Sequence, residues 1–191
     1  MEDTQTIEEV REELVDSATI LIASGYDSPE EILDQLIERF ADEEPPLSED
    51  EVRATVTPMF AARRTEEATW PERTDNTLLD EAFAALREQG LTVEDNFACC
   101  QNCGLSEIGG EAAEGSPGYV FFHQQDTESA ASGYGLMLAY GAFGGEEEAS
   151  TAIGHQTVEA LRAAGLTVEW NGSVRSRILV RMEWRERMPE D

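Results

Sequence analysis

The spacing of apolar residues changes once along this chain, at Trp70-Pro71, and that change dictates two kinds of architecture in one sequence. Before it, apolar residues recur at steps of three and four, which lines them along one face of a helix. After it, short apolar runs alternate with helical ones, the pattern of strands packed beside helices. In the first part Ile7, Val10, Leu14, Ala18 and Leu21 make one stripe that ends near Gly25. Ser28, Pro29 and Glu31 then form a capping box with proline at the first helical position, followed by Ile32, Leu33, Leu36, Ile37 and Phe40. Pro45-Pro46 breaks the chain, and Ser48 with Glu51 repeats the box ahead of Val52, Val56, Met59 and Phe60. Pro58 lies inside this third run, where its missing N–H predicts a kink or a split.

Beyond Pro71 a stripe of Leu78, Leu79, Ala82, Phe83 and Leu86 stops at Gly90. Strands are expected at 91–97, 119–124, 136–140 and 166–170 and at Ile178, Val180 and Met182, with a long helix from about Glu146 to Gly165. Residues 85–94 and 160–169 are the same Ala-Leu-Arg-x-x-Gly-Leu-Thr-Val-Glu, differing only at the two x positions. Each copy spells helix, glycine C-cap and strand. Convergence on one way of turning from helix to strand is favoured over duplication, because the sequence between the copies shows no matching period. The expected fold is α+β with an α/β-like C-terminal part. A helical N-terminal region spans 1–70, and 71–191 form a domain with a mixed four- to five-stranded sheet and helices packed on it.

The chain carries a net charge of −28 from 41 acidic residues against thirteen arginines and no lysine. That balance argues against nucleic-acid binding through a basic face. It fits two readings: carboxylates solvated on helix faces, or an acidic inhibitor or immunity protein that meets a basic partner protein. Three clustered cysteines cannot staple a secreted scaffold, and Met1-Glu2-Asp3 begins an acidic helix rather than a leader. No apolar run approaches the ~20 residues of a membrane helix, so the expected location is the cytoplasm, away from membranes. Periodicity leaves the oligomeric state open.

All three cysteines fall in Cys99-Cys100-Gln101-Asn102-Cys103-Gly104, where an apolar run (Leu91, Val93, Phe97) gives way to a helix. As a metal site, Cys100-x-x-Cys103 puts two thiolates on one zinc, with Cys99 and His123 as the further ligands. A second Cys-x-x-Cys pair, the mark of many zinc folds, is absent. As redox chemistry, Cys100 is the attacking thiolate and Cys103 resolves it, without the tryptophan and proline that flank such a pair in thioredoxin-like proteins. As packing, the thiols fill a strand-helix junction. His123 with Asp126 offers a general base at the end of a strand, while Asp126 alone offers a helix N-cap. No Gly-x-Ser-x-Gly, phosphate loop or His-Glu-x-x-His occurs. His155 reads as a surface or satisfied side chain, and the glycines at 133–135 and 141–145 read as tight turns.

The motifs Asn96-Phe97 with Cys99-Cys100-Gln101-Asn102-Cys103-Gly104, Gly118 to Asp126, and Gly165 to Gly172 resemble an uncharacterised, mainly actinobacterial family of unknown function. The likeness is best over 70–185. It implies a cytoplasmic bacterial protein and no mechanism. The resulting expectation is a non-enzymatic accessory or interaction protein whose cysteine cluster is structural or holds zinc. The alternatives are a thiol-dependent redox enzyme using Cys100 and Cys103, and the acidic inhibitor.

Overall fold

The computed structural model describes residues 5–190, so the acidic opening Met1-Glu2-Asp3 lies outside the described residues. Among these residues the fold is α+β, with seven α-helices and one five-stranded mixed sheet. The chain divides into two compact units. One comprises the residues up to Pro71 together with those from Arg185, and the other is Glu72–Trp184.

In the first unit, α1 (Ile7–Ser24), α2 (Pro29–Ala41) and α3 (Glu49–Glu67) pack around a shared apolar core. Each begins at a reciprocal capping box, Thr6 with Glu9, Ser28 with Glu31 and Ser48 with Glu51. In each box the glutamate carboxylate accepts the cap residue's backbone N–H, at 2.7, 2.8 and 3.1 Å. Two donors that a helix start would leave bare are thereby satisfied. Val10, Leu14, Ala18, Leu36, Phe40, Val52 and Val56 are fully enclosed, as the stripes predict. The expected break at Pro58 does not occur. Helix α3 runs through it, because Pro58 and Ala54, whose carbonyl would have accepted the missing N–H, both lie on the exposed face, where that carbonyl is open to solvent.

The segment from Arg185 joins this bundle through backbone groups. Arg63 donates to the Glu186 carbonyl (2.8 Å), Arg64 donates to the Met188 carbonyl (2.9 Å), and the buried Glu67 carboxylate accepts the Met188 N–H (3.0 Å). Met188 fills the core, and Arg63 and Arg187 flank the Trp70 ring.

The second unit contains α4 (Asp75–Glu88), β1 (Thr92–Glu94), α5 (Gln101–Glu107), β2 (Gly118–Phe121), α6 (Gln124–Ala131), β3 (Leu136–Ala142), α7 (Glu147–Ala164), β4 (Thr167–Glu169) and β5 (Ile178–Arg181). The sheet order is β1-β2-β3-β5-β4. Strand β1 is parallel to β2 and every other pairing is antiparallel. Helices α4 and α7 pack on each other, and α7 also covers β3. Strands β1, β2, β4 and β5 are shorter than the apolar runs that announced them, whereas β3 extends two residues beyond its own. Val93, Val120, Leu138 and Val180 are nonetheless in the core as the alternation requires.

The repeated decapeptide ends on the two opposite edges of this sheet. Gly90 and Gly165 take left-handed φ values of +88° and +108°. The following leucine N–H reaches back to Leu86 and Leu161 in the bond that closes a Schellman turn. Arg87 and Arg162 then donate to the Val93 and Val168 carbonyls on the edge strands (2.8 and 3.3 Å). One copy feeds a parallel edge strand and the other an antiparallel one. The shared sequence therefore serves a local task, an arginine capping a strand edge, rather than a repeated tertiary unit.

Candidate metal centre

The cysteine loop hangs between β1 and β2 and is fixed at both ends by backbone. The Phe97 N–H donates to the Phe122 carbonyl (2.8 Å), and the Gln124 N–H donates to the Ala98 carbonyl (3.1 Å). Asn96 and Ala98 hold left-handed φ values of +48° and +60°. Such values are ordinary for asparagine and strained for alanine, so tertiary contacts over-determine this turn. One such contact is the Thr127 hydroxyl donating to the Asn96 side-chain oxygen at 2.8 Å. After the turn, α5 lies directly on the sheet because Gly104 has no side chain. A Cβ there would sit 2.5 Å from the Phe121 ring. Phe121 in turn packs with Ile108, Ala139, Phe97 and Tyr119.

This scaffold gathers the three thiols. The sulfur atoms of Cys99, Cys100 and Cys103 all lie within 4.8 Å of one another, with Cys99 Sγ and Cys103 Sγ 3.5 Å apart. Thiolates on one tetrahedral zinc at about 2.3 Å are about 3.8 Å from each other, so the cluster is near the required size. Cys100 is the N-cap of α5. The backbone N–H of Cys103 lowers its thiol pKa, with help from the Cys103 thiol and the Asn102 N–H. Cys103 shows the opposite effect, its thiol pushed up to about 12 by the neighbouring Cys99 and Cys100 sulfurs. Three thiols this close cannot all ionise beside one another, and a divalent cation would reverse that repulsion.

His123 is not in this group of ligand atoms. It is only 4 % exposed, and its Nε2 lies 3.0 Å from Asp126 Oδ2. Asp126, 5 % exposed, also receives both terminal nitrogens of Arg177, one of them at 2.9 Å on Oδ1. Arg177 further donates to the Met137 carbonyl at 2.6 Å. Burial lowers the His123 pKa, Asp126 partly raises it again, and Arg177 pushes it down. The imidazole is therefore neutral near pH 7. The N-cap role falls on His123 rather than Asp126, since α6 begins at Gln124. Asp126 sits three residues later and its carboxylate accepts the His123 backbone N–H at 3.2 Å.

Arg177 went unnoticed in the sequence. Its one signal is that five of the thirteen arginines fall between 175 and 187. The remaining aromatic markers are structural: Trp170 donates to the Tyr140 hydroxyl (3.1 Å) and carries His155 edge-on at 5.0 Å, while Trp184 meets Phe122. Among the described residues, no helix is long and apolar enough to cross a membrane.

No curated protein and no solved structure matches the chain. A family model described as a domain of unknown function, DUF6891, matches residues 7–188. That match takes in both units and the cysteine loop, and the chain belongs to the DUF6891 family.

Proposed function

We propose that the Cys99, Cys100 and Cys103 thiolates bind one zinc ion, and that the chain is a non-enzymatic accessory or interaction protein built around that centre. The mutual approach of three sulfurs within 4.8 Å carries the reading. Its chemistry is consistent with the donor set, since thiolates prefer zinc and related soft ions. Three protein ligands leave one tetrahedral position for water or for a side chain of a partner. His123 supplies no fourth bond in this arrangement, because its ring lies outside the group formed by the three thiols. Reduced thiols at this spacing suit a reducing compartment such as the cytoplasm. Protein purified without added metal is expected to carry close to one equivalent of zinc by elemental analysis, and Cys100→Ser to lose it. A metal-free wild type that is as stable as one reconstituted with zinc would sink the proposal.

The lowered Cys100 pKa favours a second reading, thiol-disulfide exchange. In it the Cys100 thiolate attacks a disulfide of a substrate protein, forming a mixed disulfide and releasing one substrate thiolate, which takes a proton. Cys103 then loses its proton and attacks Cys100 Sγ. The products are a Cys100–Cys103 disulfide and a fully reduced substrate. Under this reading the alkylation rate of chelator-treated protein rises with a midpoint clearly below the ordinary ~8.5. An ordinary midpoint, or thiols that zinc fully protects in the purified protein, removes it in favour of the metal centre.

A further inference from the structure

A cleft of about 290 Å³ opens within the second unit, between α5, the centre of the sheet and the loop before β5. Its walls include Gln101, Leu105, Tyr119, Tyr140, Arg175 and Arg177. Gln101 and Leu105 are four residues apart and share one face of α5, while Cys103 lies on the opposite side of that helix. None of the three cysteines lines the cleft, although Gln101 directly follows Cys100.

Two of its polar groups, the exposed Arg175 guanidinium and the Tyr119 hydroxyl, have no acceptor among the described residues, whereas the Tyr140 hydroxyl donates to the Ser173 and Ser176 carbonyls. In a chain of net charge −28, where most arginines hold a carboxylate, the Arg175 guanidinium has no ion-pair or hydrogen-bond partner among the described residues. Arg177 gives its terminal nitrogens to Asp126, but its Nε is buried and finds no acceptor. The Tyr119 hydroxyl lies over Gly141, where a Cβ would come within 2.6 Å of it, so the glycine makes room for this group. Burial pushes that phenol's pKa up and keeps it protonated as a donor. Leu105 and the two tyrosine rings supply apolar wall beside these donors. A cleft with a few converging polar groups on an apolar lining is the usual form of a small-molecule site, and a planar guanidinium matches an oxyanion.

We propose that this cleft binds a small organic anion, its carboxylate or phosphate head on Arg175 and the Tyr119 hydroxyl and its short apolar body against Leu105. Arg177 joins the floor of the cleft to His123 through Asp126, so occupancy alters the surroundings of that imidazole.

The chain has two histidines, which makes their ring protons a direct readout. Full-length protein is titrated with benzoate, with phenyl phosphate and with inorganic phosphate while the histidine signals are followed by proton NMR. At least one organic probe is expected to shift the His123 signals saturably in the millimolar range. A response to benzoate alone assigns a carboxylate head, and one to phenyl phosphate alone a phosphate head. Arg175→Gln is expected to weaken binding about tenfold, the scale of one charged hydrogen bond, whereas Arg73→Gln at a distant surface pair leaves it unchanged. Silence from all three probes overturns the proposal, as does equal binding by Arg175→Gln. Inorganic phosphate binding as tightly as phenyl phosphate overturns the apolar half of the site.

Discussion

Replacing Asp126 with alanine is expected to destabilise the protein by about 3 kcal/mol, the lower end of the cost of orphaning one partner of a buried ion pair. The carboxylate accepts from the two terminal nitrogens of Arg177, from the ring of His123 and from the His123 backbone N–H. Removing it leaves the buried His123 ring nitrogen without its acceptor and Arg177 with only the Met137 carbonyl. Arg177 retains 20 % exposure of its side chain and can turn partly toward the cleft, which places the loss at the lower end rather than the upper. Chemical denaturation measures the effect directly, and a change below about 1 kcal/mol would show that water replaces the carboxylate. Asp126→Asn, which keeps the shape, separates lost charge from lost volume.

The same cluster gives the fold a pH dependence of definite sign. Burial sets the folded pKa of His123 below its ordinary value of about 6.5, so the unfolded chain binds a proton at a pH where the folded protein does not. The stability tied to a neutral His123 is fully present above about pH 6.5 and is lost as the pH falls from there through the folded pKa. Denaturation midpoints measured between about pH 8 and pH 5 are expected to fall with acid in the wild type. His123→Gln flattens that part of the profile. An equal slope in both proteins assigns the effect elsewhere.

What the sequence disclosed divides along the range of the interactions concerned. Two of the capping boxes were legible because serine and glutamate three residues apart complete their hydrogen bonds within one turn. The Schellman turns at Gly90 and Gly165 were legible for the same reason. Pro58 misled, since whether a proline breaks a helix depends on which side faces water, and that is decided by α1 and α2 rather than by the proline. The cysteines announced their own proximity through their spacing. The placement of His123 did not follow, because its partner Arg177 lies 54 residues away on another strand's approach and no local pattern links them. The strand ends were overestimated where the apolar run continues past its pairing partner, as at Phe97, which packs on Phe121 from a turn.

Gly104 ties the cysteine loop to the core, and Gly104→Ala is expected to destabilise the protein by about 3 kcal/mol, the upper end of the usual cost of overpacking. A Cβ would stand 2.5 Å from one Phe121 ring carbon and 2.8 Å from another, far inside van der Waals contact. The ring cannot yield by moving outward, because Phe121 has no exposed surface and is enclosed by Ile108, Ala139 and Phe97. Helix α5 must therefore lift from the sheet, and Cys103, one residue before the contact, lifts with it. The methyl group touches no thiol, so an accompanying loss of bound zinc would come through displacement of the backbone that sets the sulfur spacing. The double variant Gly104→Ala/Phe121→Leu removes ring atoms from the point of collision. If the clash is the cause, the two changes are non-additive, and the double variant recovers part of the stability that Gly104→Ala loses relative to its own Phe121→Leu parent. Additive losses would instead mean that the cost of the methyl does not come from its collision with the Phe121 ring, since Gly104 lies within α5 without a positive φ that would favour glycine.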